Sequence, residues 1–177
     1  LFHTGEGGAL FAKDTNLQHQ LFYSHNFGHN GPLAFHGLGI NAKISELQGA
    51  MGLAVLPYME RILSERGKVV DTYNDQLDFS KLKTIKIRSN TKWNYSYYPV
   101  IFESEKKLLE VQATLNQMQI FPRRYFYPSL NKIEYLAASE MIVSESIASR
   151  VMCLPLYVGL STSELNQIIT TINFALK

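Results

Sequence analysis

Between residues 43 and 77 of this 177-residue chain, a helical pattern runs on for longer than an ordinary globular helix and is broken once, by proline. Ile44, Leu47, Met51 and Val55 recur at spacings of three and four, which marks one apolar helix face. Ser45 and Gln48 have capping-box spacing, so a helix is expected to start shortly after Asn41. Pro57 lacks a backbone N–H and its ring collides with the preceding turn, so a kink or break is expected there. The second part, Tyr58 to about Leu77, reads as ending in a mostly polar, solvated helix. The combined length suits an element that bridges two domains, which requires packed structure on both sides of it.

Composition narrows the class. With 46% hydrophobic and 18% charged residues, no segment has the make-up of disorder. The net charge of +2, carried by scattered basic residues, argues against a nucleic-acid partner. A single cysteine, Cys153, rules out an internal disulfide framework and suits a reducing compartment. Its neighbours Met152 and Leu154 predict a buried, inert thiol. No apolar stretch reaches membrane-spanning length, and the first residues lack a signal-peptide pattern. A soluble, cytoplasmic protein without a membrane partner is expected.

On the N-terminal side, Gly5, Gly7 and Gly8 around Glu6 predict a tight turn, and Ala9-Leu10-Phe11 after it a short buried strand. Asp14 to Phe22 reads as a short helix with Leu17, Leu21 and Phe22 on one face. Residues 24–41, "SHNFGHNGPLAFHGLGIN", are too punctuated for regular structure, and Phe27, Leu33, Phe35 and Leu38 argue that the loop is ordered. On the other side a boundary is expected near Ser80. Strands are expected at Ile85–Ile87, within "WNYSYYPVIF" (93–102), and in "IFPRRYFYP" (120–128), the last running into a turn. Leu108, Val111, Leu115 and Met118 mark an amphipathic helix, and short helices are expected around 132–138 and 142–149. Ser161 and Glu164 form a capping box before Leu165, Ile168, Ile169 and Ile172. Alternating strands and helices predict a small α/β or α+β domain over 80–177.

Three features invite chemistry. His3, His19, His25, His29 and His36 crowd the first 36 residues, yet their spacings match no standard metal site and no cysteine or carboxylate pair joins them. "GINAKISELQ" places Asn41 and Lys43 just before a helix start. They either assist an anion there, or Asn41 merely caps the helix. "RRYFYP" offers two guanidiniums and two phenols within residues 123–127. On an alternating strand Arg124 and Phe126 would face one way and Arg123, Tyr125 and Tyr127 the other. Such a stretch is either ordinary surface or a nucleotide- or sugar-binding edge. No complete catalytic set and no phosphate-cradling motif is present.

In order along the chain, "TGEGGAL" (4–10), "GINAKISELQGAMGL" (39–53), Tyr127-Pro128 and "LPLYVGLSTSEL" (154–165) resemble the DegT/DnrJ/EryC1/StrS aminotransferases. The resemblance implies the C-terminal part of a fold-type I pyridoxal-phosphate enzyme. Residues 1–56 would end the large domain, 57–79 form a bridging helix, and 80–177 form the small α/β domain. The family's cofactor-binding lysine, aligned on "TGEGG", would fall immediately before Leu1, so no catalytic residue is expected within the sequence itself. Two explanations fit: a polypeptide about twice this long, divided at the modified lysine, or a fragment left by proteolysis or design. The first is favoured because the boundary falls so close to the modified position.

By the same resemblance, Asn41 would reach the cofactor phosphate of a neighbouring subunit, which implies a homodimer. Lys43 would stand near that inter-subunit site, where many members have arginine, and is expected among the substrate-binding residues. Arg124, Tyr125 and Tyr127 would contact the nucleotide sugar, although Phe126 replaces the histidine that usually precedes the Tyr-Pro pair. The implied reaction moves an amino group from glutamate to a nucleotide-linked keto-sugar, of the dTDP-4-keto-6-deoxyhexose kind. Its product is an amino-deoxy sugar for surface polysaccharide or glycosides. Two rivals stand beside it. A lysine-free sugar dehydratase of the same fold would have histidine before Leu1, and a non-catalytic α/β ligand-binding module would be colourless.

Overall fold

Asp14, Ser45, Ser104 and Ser161 each accept a hydrogen bond from the amide three residues on, at 2.7–3.3 Å. Each satisfies an amide that a helix start leaves without a partner. The helices they open are α1 (Thr15–Ser24), α2 (Glu46–Val55), α4 (Glu105–Gln117) and α6 (Thr162–Ala175). Helices α3 (Met59–Gln76) and α5 (Ile142–Arg150) complete the helical set. The strands are β1 (Lys83–Thr84), β2 (Tyr98–Ile101) and β3 (Val151–Leu154). This computed structural model describes residues 1–136 and 139–177. The expected helix at 132–138 lies partly outside the described residues; before them the chain makes a 3-10 turn over Leu130–Lys132.

The chain divides into two compact units, Leu1–Glu60 and Arg61–Lys177. In the first, Pro57 does break the helical run: α2 ends at Val55 and Leu56–Tyr58 is a 3-10 turn. The glycine turn docks on α2, because Gln48 Nε2 donates to the Gly5 carbonyl at 2.6 Å. Gly52 permits the contact, since a Cβ there would meet Thr4 Cγ2 at 3.0 Å. Ala9-Leu10-Phe11 is not a buried strand: Leu10 is 78% and Phe11 93% exposed. A strand needs a pairing edge, and among the described residues none lies beside it. The face of α1 is likewise uncovered, with Leu17 and Phe22 exposed.

The second unit holds the hydrophobic core. Its sheet has the order β1-β2-β3 and is antiparallel throughout, with Lys83 opposite Ile101 and Tyr98 opposite Leu154. Val69, Val70, Tyr73 and Leu77 bring α3 into that core beside Val100, Leu108, Val111, Leu115, Met152, Ile168 and Ile172. The expectation of a solvated helix over this stretch is therefore corrected. Arg66, Val69, Val70 and Tyr73 follow helical spacing, and their face is buried. The strands are also shorter than expected. Ile85 and Ile87 lie beyond β1, and β2 covers four of the ten residues of the aromatic run, because pairing extends only as far as β3 reaches. Lys81 and Lys107 donate to the Leu176 and Ala175 carbonyls at 2.8 and 3.3 Å, placing cations at the negative end of α6.

Cys153 is buried in β3, and burial pushes its thiol up to about 11. It is thus protonated and poorly nucleophilic near neutral pH.

Candidate functional site

In the first unit the polar centre is built by the loop after α1. The loop folds back on itself. Phe27 N–H donates to the Ile40 carbonyl at 3.0 Å, Ile40 N–H to Ser24 at 2.8 Å, and Ala42 N–H to His25 at 2.9 Å. Two backbone runs cross here so closely that a Cβ on Gly39 would lie 2.1 Å from the Gly28 nitrogen, and Gly28 has φ +72°. Side chains are excluded at both positions. The histidines serve the loop's packing: His36 stacks on Tyr23, and His29 on Phe35.

This fold delivers Asn41 by an antiparallel bridge to Asn26, four residues ahead of the Ser45 cap. Ser45, not Asn41, caps α2. Lys43 Nζ donates to Asn41 Oδ1 at 2.6 Å and sits 4.2 Å from the centre of the Phe27 ring. The pair is exposed, with an ammonium and an amide nitrogen side by side. Lys43 also lines a cavity of about 770 Å³ with Glu6, Gln18, His25 and Gln48. An ammonium with a fixed amide donor suits a phosphate, so the donor set fits the cofactor group that the resemblance implies.

In the second unit, residues 120–128 do not form a strand. Arg123 makes one isolated bridge to Cys153, exchanging bonds of 3.2 and 2.8 Å, and the chain then turns. The expected alternation of faces is corrected accordingly. Arg124 shares a side with Tyr127, its guanidinium carbon 3.8 Å from the ring centre, although alternation would separate them. Arg123 Nη1 donates to the Tyr125 hydroxyl. Tyr125 also packs edge-on against Tyr97 and stacks on Phe126, with centroids 5.6 and 4.9 Å apart. Phe126 and Tyr127 are 69% and 51% exposed, so an aromatic surface faces outward.

Behind this surface the chain is tied down. Ser129 Oγ lies 2.7 Å from both Asn131 Oδ1 and Ser144 Oγ. Glu145 accepts from the Met141 amide, Lys132 and Asn131, and these bonds hold its carboxyl down to about 2.

Residues 1–173 match the DegT/DnrJ/EryC1/StrS aminotransferase family. The chain belongs to this family. A dTDP-4-amino-4,6-dideoxy-D-glucose transaminase of Shigella dysenteriae is 34% identical over 97% of this chain and 49% of its own length. The transaminase of the same name from Escherichia coli is 32% identical over 88% of this chain and 44% of its own length. Among solved structures, the sugar aminotransferase CalS13 from Micromonospora echinospora superposes with a TM-score of 0.85 at 16% identity. That match covers 98% of this chain and 48% of that one. The fold is that of the C-terminal part of a fold-type I aminotransferase, and the chain spans about half the length of the curated relatives it matches.

Asn41, Lys43, Arg124, Tyr125 and Tyr127 are the site residues expected from the sequence. The structure joins Asn41 to Lys43, and Arg124 to Tyr127. It adds Tyr97, which the aromatic run had suggested as strand only, and Glu105, whose place in the first turn of α4 gave no functional signal.

Proposed function

We propose that the polypeptide containing this chain is a pyridoxal-phosphate-dependent aminotransferase. It moves an amino group from glutamate to a nucleotide-linked keto-sugar, a dTDP-4-keto-6-deoxyhexose. The observation that carries this reading is the Asn41–Lys43 pair, two donors held together and exposed in a family of aminotransferases. The names of the two transaminase relatives support the sugar and its nucleotide.

Pyridoxal phosphate, when bound, supplies an electron sink for the carbon that gains or loses nitrogen. Asn41 and Lys43 hold its phosphate, the amide by a directed hydrogen bond and the ammonium by charge. Tyr125 and Tyr127 offer ring faces and hydroxyls to the nucleotide sugar. The overall exchange is redox-neutral: glutamate leaves as 2-oxoglutarate, and the sugar ketone becomes an amine.

The active unit is a homodimer in which Asn41 serves the neighbouring subunit. Supporting this, the buried residues among those described in the first unit are two glycines, while Leu33, Leu38 and Leu47 are 95%, 93% and 83% exposed. That much apolar surface requires cover from a second subunit and the rest of a family-length polypeptide. A lone buried cysteine suits the cytoplasm, and among the described residues no helix is long and apolar enough to cross a membrane.

Borohydride reduction of the purified full-length polypeptide tests the cofactor assignment. The expected result is a permanent phosphopyridoxyl adduct, seen by intact mass, on a species that sediments as a dimer. A colourless monomer that gains no adduct would refute it.

A further inference from the structure

We infer that Arg124 is a positioning residue that acts on the nucleotide sugar through the ring of Tyr127; the inference rests on the substrate role proposed above for Tyr127. Composition alone suggests that an arginine in "RRYFYP" meets the substrate's phosphates directly. The geometry assigns it elsewhere. The Arg124 side chain is 17% exposed. Its Nη2 donates to Glu105 Oε1 at 2.7 Å and to the Ser149 carbonyl at 2.8 Å. Those partners come from the first turn of α4 and the end of α5, so two separate elements fix the guanidinium. The guanidinium thus held lies over the Tyr127 ring, its carbon 3.8 Å from the ring centre. Arg123 makes a useful contrast, 5.4 Å from the Tyr125 ring centre and exposed.

Two further facts favour a plate over an anion receptor. Glu105 already neutralises the charge locally, which weakens the pull of this group on a phosphate. And Arg124 Nε is buried with no hydrogen-bond partner among the described residues. A buried donor left unpaired is costly, and a guanidinium free to turn would satisfy it. Here the two anchored bonds and the ring contact hold it regardless. Tyr127 keeps half its surface open, one face resting on the guanidinium. Beyond Pro128, the Ser129–Ser144 contact fastens the other end of the segment. A tyrosine fixed beforehand loses less freedom on binding, so the substrate is bound more tightly.

A double-mutant cycle in the full-length, cofactor-loaded enzyme tests this. Arg124→Lys keeps the charge but loses the flat stacking surface. It is expected to raise KM for the dTDP-linked keto-sugar about tenfold, with kcat within about twofold. Tyr127→Ala should raise KM by a similar factor, and the double variant should be no worse than Tyr127→Ala alone. Glu105→Gln, which leaves both partners in place, should give a smaller rise in the same direction. Multiplying effects of the two single changes would mean that Arg124 touches the substrate itself and would overturn the inference. So would an unchanged KM in Arg124→Lys beside a raised one in Tyr127→Ala, even if the variant melts earlier. If Tyr127→Ala leaves KM unchanged, the substrate role of Tyr127 is what fails.

Discussion

Asn41→Asp in the full-length polypeptide is expected to weaken pyridoxal phosphate binding by about 100-fold. Asn41 is exposed, and its Oδ1 already accepts from Lys43 Nζ at 2.6 Å, which leaves the amide nitrogen as the donor to a phosphate. Aspartate removes that donor and puts a negative charge at the proposed phosphate site. It also forms a direct ion pair with Lys43, drawing the ammonium away from its ligand. Because the position is exposed, folding should be almost unaffected, and the thermal midpoint of the cofactor-free protein should stay within about 2 °C. Titration of the cofactor by absorbance reads the effect without any assay of turnover. Unchanged affinity would remove Asn41 from the cofactor site.

The second large effect concerns stability. Arg66 is 7% exposed on α3, and its guanidinium donates to three backbone carbonyls: Tyr95 at 2.7 Å, Leu156 at 2.7 Å and Ser96 at 2.8 Å. Burial lowers its pKa, but an arginine starts so high that it stays charged. One side chain therefore ties the chain before β2 and the chain after β3 to the same helix. Arg66→Met fills the space but strands three partly buried acceptors. The expected loss is about 3 kcal/mol, or roughly 10 °C in the melting midpoint. Arg66→Lys should recover less than half, because a single ammonium lacks the planar fork. A midpoint within about 2 °C of the parent in Arg66→Met would show that water satisfies those carbonyls equally well. Tyr97, next in line after Ser96, packs on Tyr125, so the same change should also loosen the aromatic surface.

Local rules made the helices legible. A capping side chain and an apolar stripe act within one or two turns, so Ser45 and Ser161 announced α2 and α6, and Leu17, Leu21 and Phe22 announced α1. Pro57 announced the break before α3. Strands were less legible because each depends on a partner distant in sequence. Thus 120–128 kept a single bridge at Arg123, and Ala9-Leu10-Phe11 paired with nothing among the described residues. On α3, charged neighbours masked a buried stripe at Val69, Val70 and Tyr73, and Arg66 looked like any solvated arginine.

The candidate site followed the same division. Asn41 and Lys43, two residues apart, could be paired from sequence. The job of Arg124 could not, since Glu105 and Ser149 are 19 and 25 residues away and meet it by tertiary packing alone.

The proposed aminotransferase activity is tested by giving the purified full-length polypeptide glutamate, pyridoxal phosphate and a dTDP-linked 4-keto-6-deoxyhexose, and identifying the products. The expected products are the 4-amino sugar nucleotide and 2-oxoglutarate in equal amounts. Recovery of the keto-sugar unchanged, or its conversion to a dehydrated sugar without 2-oxoglutarate, would contradict it.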